Sequence, residues 1–238
     1  MVHVIILAGG KGTRVGADIP KQFVQVKGKP IIAYTLDIFQ KCEKIDSIII
    51  ACVEGYDSNM WNIVKKYNYT KVKGIIAGGS NWNESVMQGM VGIRQYVKEV
   101  NDEDVFLIHT AVSPMTSMDV IDDAIAVCMM HGNAISVDPI IFSTCIADDE
   151  CFSLHPIDKK QLRALNVPWA FCWKNLKKYY ETDEAKKFWD DDDPYTTSIA
   201  MAMGEKIYFS KGVSNNLKIT TKEDIILFEA LLDIESKR

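Results

Sequence analysis

Short aliphatic runs alternate along this chain with longer stretches in which apolar residues recur every three or four positions. Val4 to Leu7 is a continuous β-branched and aliphatic run that Ala8, Gly9 and Gly10 break at once, which predicts a buried first strand entering a tight turn. Pro30 opens a helical pattern with Ile32, Leu36 and Phe39 on one face, Pro fitting the first helical position. Asp46 to Val53 reads as a second buried strand, Trp61 to Tyr69 as a short helix and Lys73 to Ala77 as a third strand. Gly78 and Gly79 break the chain again before a helix that turns Val86, Met90 and Ile93 inward. Asp104 to His109 is a fourth strand, Met118 to His131 an amphipathic helix and Asn133 to Val137 another strand. Strands alternating with helices predict an α/β fold with mostly parallel pairing.

The regime changes after that. Residues 138–163 are polar, with only short extended pieces. Asn175 to Trp189 is helical, and Asp190 to Asp193 is a run of four carboxylates closed by Pro194. Four consecutive acidic residues reach one cation only through special turns, so a solvated loop is favoured over a divalent-ion site. Ile207 to Phe209 begins the last strand pair and Asn216 to Thr221 completes it. Thr220 and Glu223 have the spacing of a capping box for a helix from Lys222 to Ile234. No internal repeat appears, and one domain spans residues 1–238.

With 238 residues, 47% of them hydrophobic and 25% charged, the chain is long enough for a full core. A net charge of -5 and a pI near 5.4 give no global attraction to nucleic acid or an anionic membrane, so phosphate affinity must be local. No apolar run approaches the length of a membrane span and no basic, apolar and cleavage-site sequence opens the chain, which is therefore read as cytoplasmic. The six cysteines form no Cys-x-x-Cys pair. Cys128 with His131 has a metal-like spacing but falls at a helix end, where coincidence is the simpler account.

Chemistry concentrates in the first loop. Gly9, Gly10 and Gly12 let backbone N–H groups approach an anion, while Lys11, Arg14 and Lys21 supply cations, a combination suited to a polyphosphate. No Gly-Lys pair is followed by Ser or Thr, which excludes the P-loop. Gly10, Gly12 and Gly16 give Gly-x-Gly-x-x-x-Gly rather than the dinucleotide fingerprint, which disfavours a nicotinamide oxidoreductase. Gly78 to Met90 repeats the device, with Ser85 near a helix start where a hydroxyl and free N–H groups can meet a base or phosphate. Ser80 or Asn83 as a simple cap for that helix is the competing reading.

Leu7 to Arg14 (LAGGKGTR) with Ile19 to Phe23 (IPKQF) resembles the signature of sugar-nucleotide pyrophosphorylases, and within them the cytidylyltransferases acting on methylerythritol phosphate or ribitol 5-phosphate. The resemblance runs from Val4 to about Leu232. It implies a Rossmann-like three-layer nucleotidyltransferase fold in which residues 138–163 form a β-arm clasping a second subunit to make a homodimer; an unpartnered surface hairpin is the other possibility. It also implies CMP transfer from CTP to a small phosphorylated alcohol, with Mg²⁺ or another divalent cation. Leu7, Ala8, Gly9, Gly10, Lys11, Gly12 and Thr13 then cradle the triphosphate, while Gly78, Gly79 and Ser85 hold cytosine. Arg14, Lys21 and Lys218 form the charge-stabilising set, although strand alternation alone would let Lys218 point to solvent.

Three places depart from the family pattern. Relatives carry His-Asp-Ala-x-Arg-Pro after the fourth strand, with the aspartate serving the metal-triphosphate and the arginine the acceptor phosphate; here Thr110 and Ser113 stand at those positions. Trp82 replaces a usual arginine, and Trp169 stands for the glutamine of a Thr-Pro-Gln-x-Phe turn. Thr110, Ser113 and Trp169 are therefore assigned to the acceptor pocket, and the ion's protein ligand is unknown. These losses also motivate a second reading, a binding or regulatory subunit that keeps CTP affinity without turnover.

Overall fold

Alternation within each strand builds the sheet and its two covering layers. The computed structural model describes residues 1–10, 19–189, 195–213 and 216–237. Lys11, Gly12, Thr13 and Arg14 lie outside them, as does the acidic run from Asp190 to Asp193. Strand β1 (Val2–Ala8) sends Val4, Ile6 and Ala8 to one face and Ile5 to the other. Two short strands, β2 (Gln25–Val26) and β3 (Lys29–Pro30), form a hairpin before helix α1 (Ile31–Lys41). Pro30 therefore caps α1 instead of occupying its first turn.

Strand β4 (Ser47–Cys52), helix α2 (Asp57–Lys66), strand β5 (Val72–Ala77), helix α3 (Trp82–Tyr96), strand β6 (Val105–Thr110), helix α4 (Met118–His131) and strand β7 (Asn133–Pro139) follow. Next come a hairpin of β8 (Thr144–Ile146) and β9 (His155–Ile157), the long strand β10 (Arg163–Cys172), helices α5 (Trp173–Glu181), α6 (Asp183–Lys186) and α7 (Thr196–Ala202), strand β11 (Phe209–Lys211) and helix α8 (Lys222–Glu235). The main sheet has the order β11-β7-β10-β6-β1-β4-β5. Only β10 runs antiparallel to its neighbours. The α/β three-layer expectation holds: residues of α1, α2, α4 and α8 pack on one face, residues of α3, α5, α6 and α7 on the other.

Several local expectations shift. The helix expected from Asn175 to Trp189 is two helices, broken at Thr182, whose hydroxyl accepts from the Ala185 N–H and starts α6. Helix α7 has no counterpart in the sequence reading. The stretch expected as a turn around Trp169 lies inside β10, whose register slips between Asn166 and Trp169. Among the described residues, 216–220 form no strand; the segment runs extended, tied by Ile219 N–H to the Val112 carbonyl at 2.8 Å. The capping box falls one residue later than expected, on Thr221 and Asp224.

Strand order places the site. The chain goes from β1 outward through β4 to β5, then returns with β6 to the other side of β1. Crossover helices change faces there, and a crevice opens beyond the carboxyl ends of β1 and β6.

Candidate active site

Three loops meet at that crevice. The first leaves β1 at Gly9 and Gly10. It is held from below by the buried Gln22 amide, which donates to the Ala8 carbonyl at 2.7 Å. Gln22 belongs to a short 3-10 turn, Lys21–Phe23, so the PKQF element serves to fix the glycine loop. Lys21 stands half-buried on that turn, outside the residues that line the crevice.

The second loop, after β5, packs directly on the first. A Cβ on Gly78 would stand 3.0 Å from the Gly9 Cα, and one on Gly79 only 2.1 Å from the Glu84 Cβ, so neither position has room for a side chain. Asn81, and neither Ser80 nor Asn83, caps α3 by accepting from Glu84 N–H. Ser85 sits in the first turn, accepting from Gly79 N–H at 3.2 Å and donating to the Asn81 carbonyl at 2.8 Å. The Glu84 carboxylate accepts from the Ser80 N–H at 2.7 Å and hydroxyl at 2.8 Å, and these bonds hold it below the usual carboxylate range. It locks the loop.

The third loop follows β6. His109 is fully buried, and desolvation pushes it down to about 3 despite the opposing effect of its bond to the Thr110 carbonyl. Nδ1 faces that carbonyl at 2.8 Å, which can only accept, so Nδ1 carries the proton and Nε2 accepts from the Thr116 hydroxyl at 2.7 Å. A neutral imidazole thereby clamps both ends of the turn. Within it, Thr110 Oγ1 and Ser113 Oγ are 2.7 Å apart and buried. A neutral hydroxyl pair occupies the positions at which the family pattern has opposite charges.

Two adjoining lobes result, each of about 250 Å³. Leu7, Gly9, Gly10, Gly79 and Ser85 line one, and Thr110, Ser113, Asn166 and Trp169 line the other. Trp82, Tyr195 and Lys218 line both. Lys218 is the only charged side chain lining either lobe among the described residues. The nucleotide candidates Leu7, Gly9, Gly10, Gly79 and Ser85 are thus brought together, with Gly78 packed behind them. The acceptor candidates Thr110, Ser113 and Trp169 share the second lobe. Sequence reasoning missed Tyr195, Thr197 and Asn166, which also line it. Nothing local marks them; Tyr195 merely follows the acidic run.

No group of three His, Cys, Asp or Glu side chains that could hold a metal occurs among the described residues. His131, from the metal-like pair with Cys128, instead stacks on Tyr208 at 4.0 Å.

The family model described as 2-C-methyl-D-erythritol 4-phosphate cytidylyltransferase matches residues 2–234. A ribitol-5-phosphate cytidylyltransferase from Lacticaseibacillus paracasei is 34% identical over 232 residues, covering 98% of each chain. A 2-C-methyl-D-erythritol 4-phosphate cytidylyltransferase from Clostridium acetobutylicum is 34% identical over 229 residues, covering 96% of each. The fold is similar to that of 4-diphosphocytidyl-2C-methyl-D-erythritol synthase from Anaerococcus prevotii, with a TM-score of 0.78, 21% identity and 98% of each chain covered.

Proposed function

Given that the chain belongs to the 2-C-methyl-D-erythritol 4-phosphate cytidylyltransferase family and is a CTP-dependent cytidylyltransferase, we propose that it transfers CMP from CTP to D-ribitol 5-phosphate and releases pyrophosphate. The product fits precursor synthesis for a surface polysaccharide or teichoic acid in the cytoplasm. The observation that carries this reading is the pair of lobes sharing Lys218: a nucleotide on the glycine loops and a phosphorylated acceptor against Thr110 and Ser113 would bring their phosphates together at that lysine.

No protein base is required. A phosphate monoester has its second pKa near 6, so at neutral pH its oxygen already attacks as a dianion. The protein's tasks are to offset repulsion between two anions and to stabilise charge passing to the pyrophosphate leaving group. Lys218 serves the first at the shared wall; Lys21 and Arg14 are assigned to the second. Gly9 and Gly10 bring backbone against the phosphates, and Ser85 with Gly79 reads the base.

A divalent ion, when bound, neutralises phosphate oxygens. The lobes offer it no carboxylate among the described residues, so its ligands would be phosphate oxygens and water. The arm of residues 138–163 is proposed to dimerise, supported by Phe142 and Leu154, which are 74% and 77% exposed. Among the described residues no helix is long and apolar enough to cross a membrane.

Methylerythritol 4-phosphate, favoured by the family match, is the first alternative acceptor, and another polyol phosphate or a phosphonate the second, motivated by Ser113 and Trp169 in the acceptor lobe. Pyrophosphate release with each of the four ribonucleoside triphosphates, with both acceptors offered, tests the proposal. Release with CTP and ribitol 5-phosphate supports it. CTP binding without release in any combination overturns it and favours either another phosphate or phosphonate acceptor or the CTP-binding, non-transferring reading.

A further inference from the structure

Lys218 stands on a segment that belongs to no strand, so something other than a ladder must hold it in place. Two anchors flank it. On one side the Ile219 N–H donates to the Val112 carbonyl at 2.8 Å, tying the segment to the β6 turn. On the other, the buried side chain of Asn216 reaches strand β10 where its register slips. The slip takes Val167 and Pro168 out of the ladders with β7 and β6, so the N–H and carbonyl of the buried Val167 must be satisfied elsewhere. Two asparagines take them. Asn166 Oδ1 accepts from the Val167 N–H at 2.9 Å, and Asn216 Nδ2 donates to the Val167 carbonyl at 2.8 Å. Asn216 Nδ2 also donates to Asn166 Oδ1 at 3.4 Å, and Asn166 Nδ2 donates to the Asp138 carboxylate at the end of β7 at 3.2 Å. Both atoms facing Asn216 Nδ2 are acceptors, which fixes the orientation of the amide and demands a donor at that point.

We infer that Asn216 is a positioning residue for Lys218: by fastening the segment to the slip in β10, it sets where the lysine stands between the two lobes. Asn166 and Val167 line the second lobe and Lys218 lines both, so the clamp joins the acceptor wall to the lysine across two residues of backbone. The inference rests on the transferase reading, because it concerns how that reading's charge-stabilising lysine is held. A purely structural amide would act in a different way. One that only stabilised the fold would matter whatever side chain residue 218 carried, whereas one that positions Lys218 loses its effect on turnover once that side chain is gone. Aspartate at position 216 separates the two, since it fills the same space and turns a carboxylate oxygen toward two acceptors.

The test is a double-mutant cycle on the full chain. Single-turnover pyrophosphate release, with protein in excess over CTP, Mg²⁺ present and the acceptor that the wild type turns over, is compared for the wild type, Asn216→Asp, Lys218→Ala and the double variant. Asn216→Asp is expected to slow release about tenfold in the wild-type background, the effect of one lost hydrogen bond that the reaction needs. With Lys218→Ala already in place, the same substitution should slow release by no more than about twofold. CTP binding, measured alongside, shows that each variant is folded. If Asn216→Asp unfolds at the assay temperature, Asn216→Ser, which removes the amide without adding a charge, carries the same cycle. Equal slowing in both backgrounds overturns the inference, as does an Asn216→Asp rate equal to that of the wild type, and either result leaves the transferase reading standing. A wild type that binds CTP and turns over no acceptor overturns the transferase reading and the inference with it.

Discussion

At the scale of single residues, the site separates groups that act through charge from groups that hold shape. Lys218 is of the first kind: it lines both lobes, and its backbone is placed by the neighbouring Ile219 N–H on the Val112 carbonyl. Lys218→Ala should lower kcat by roughly 10² to 10³, the usual cost of deleting one donor to a developing charge. Circular dichroism should be unchanged; a variant that retained wild-type turnover would remove Lys218 from the chemistry. His109 is of the second kind. Burial lowers its folded-state value to about 3 against an ordinary 6.5, so below pH 6.5 the unfolded chain takes up a proton that the folded chain refuses. Its contribution to stability is therefore complete above pH 6.5 and is lost as the pH falls toward 3, at up to about 1.4 kcal/mol per unit. Urea unfolding of the wild type and His109→Gln at pH 7 and pH 4.5 checks this: the wild type should lose more stability between the two pH values. Equal losses would mean that His109 titrates normally.

At the scale of elements, the wall between the lobes depends on one buried relay joining α3, α5 and α7. Tyr180 donates to Asn83 Oδ1 at 2.9 Å, so in the pairing with Thr196 its oxygen accepts, and Thr196 in turn accepts from the Trp82 indole. Tyr180→Phe strands the Asn83 carbonyl oxygen and the Thr196 hydroxyl in an apolar interior. The expected loss is about 1–3 kcal/mol, read as a lower denaturation midpoint; an unshifted midpoint would show that the relay carries nothing. This relay was invisible in the sequence. Tyr180 and Thr196 meet through tertiary packing alone, and no periodicity announces α7 after the acidic run of the sequence. The capping box shows a milder limit: Thr220 and Thr221 both fit the pattern with an acidic residue three positions on, and only backbone geometry selects Thr221 with Asp224. Similarly, Lys218 was expected on a strand because NLKITT alternates, yet Ile219 N–H donates to the Val112 carbonyl and Thr220 N–H to the Asp224 carboxylate instead of to a ladder.

At the scale of the molecule, what the sequence made legible was whatever is written locally. The aliphatic runs of β1, β4 and β6 and the glycine breaks after β1 and β5 are such features, and they suffice to predict a layered α/β fold with phosphate-binding loops. Strand order is not local, so the antiparallel insertion of β10 between β6 and β7 could not be read, and with it the placing of Trp169 against the β6 turn. The arm is legible in a different way, through apolar residues that the fold leaves uncovered. Ile141, Phe142, Ile146, Phe152 and Leu154 all lie exposed between β7 and β10, on a segment whose only ladder is the three-pair hairpin of β8 and β9. An isolated hairpin is marginal in water, and a cluster of this kind is covered most simply by a second copy of itself around a two-fold axis. Phe142→Asp with Leu154→Asp places two carboxylates in that cluster without touching either core. If the arm is the interface, the double variant should sediment as a monomer of half the wild-type mass while its thermal transition loses the wild type's dependence on protein concentration. A wild type that is already monomeric at micromolar concentration would instead leave the arm as a surface hairpin, and the active-site lobes complete within one chain.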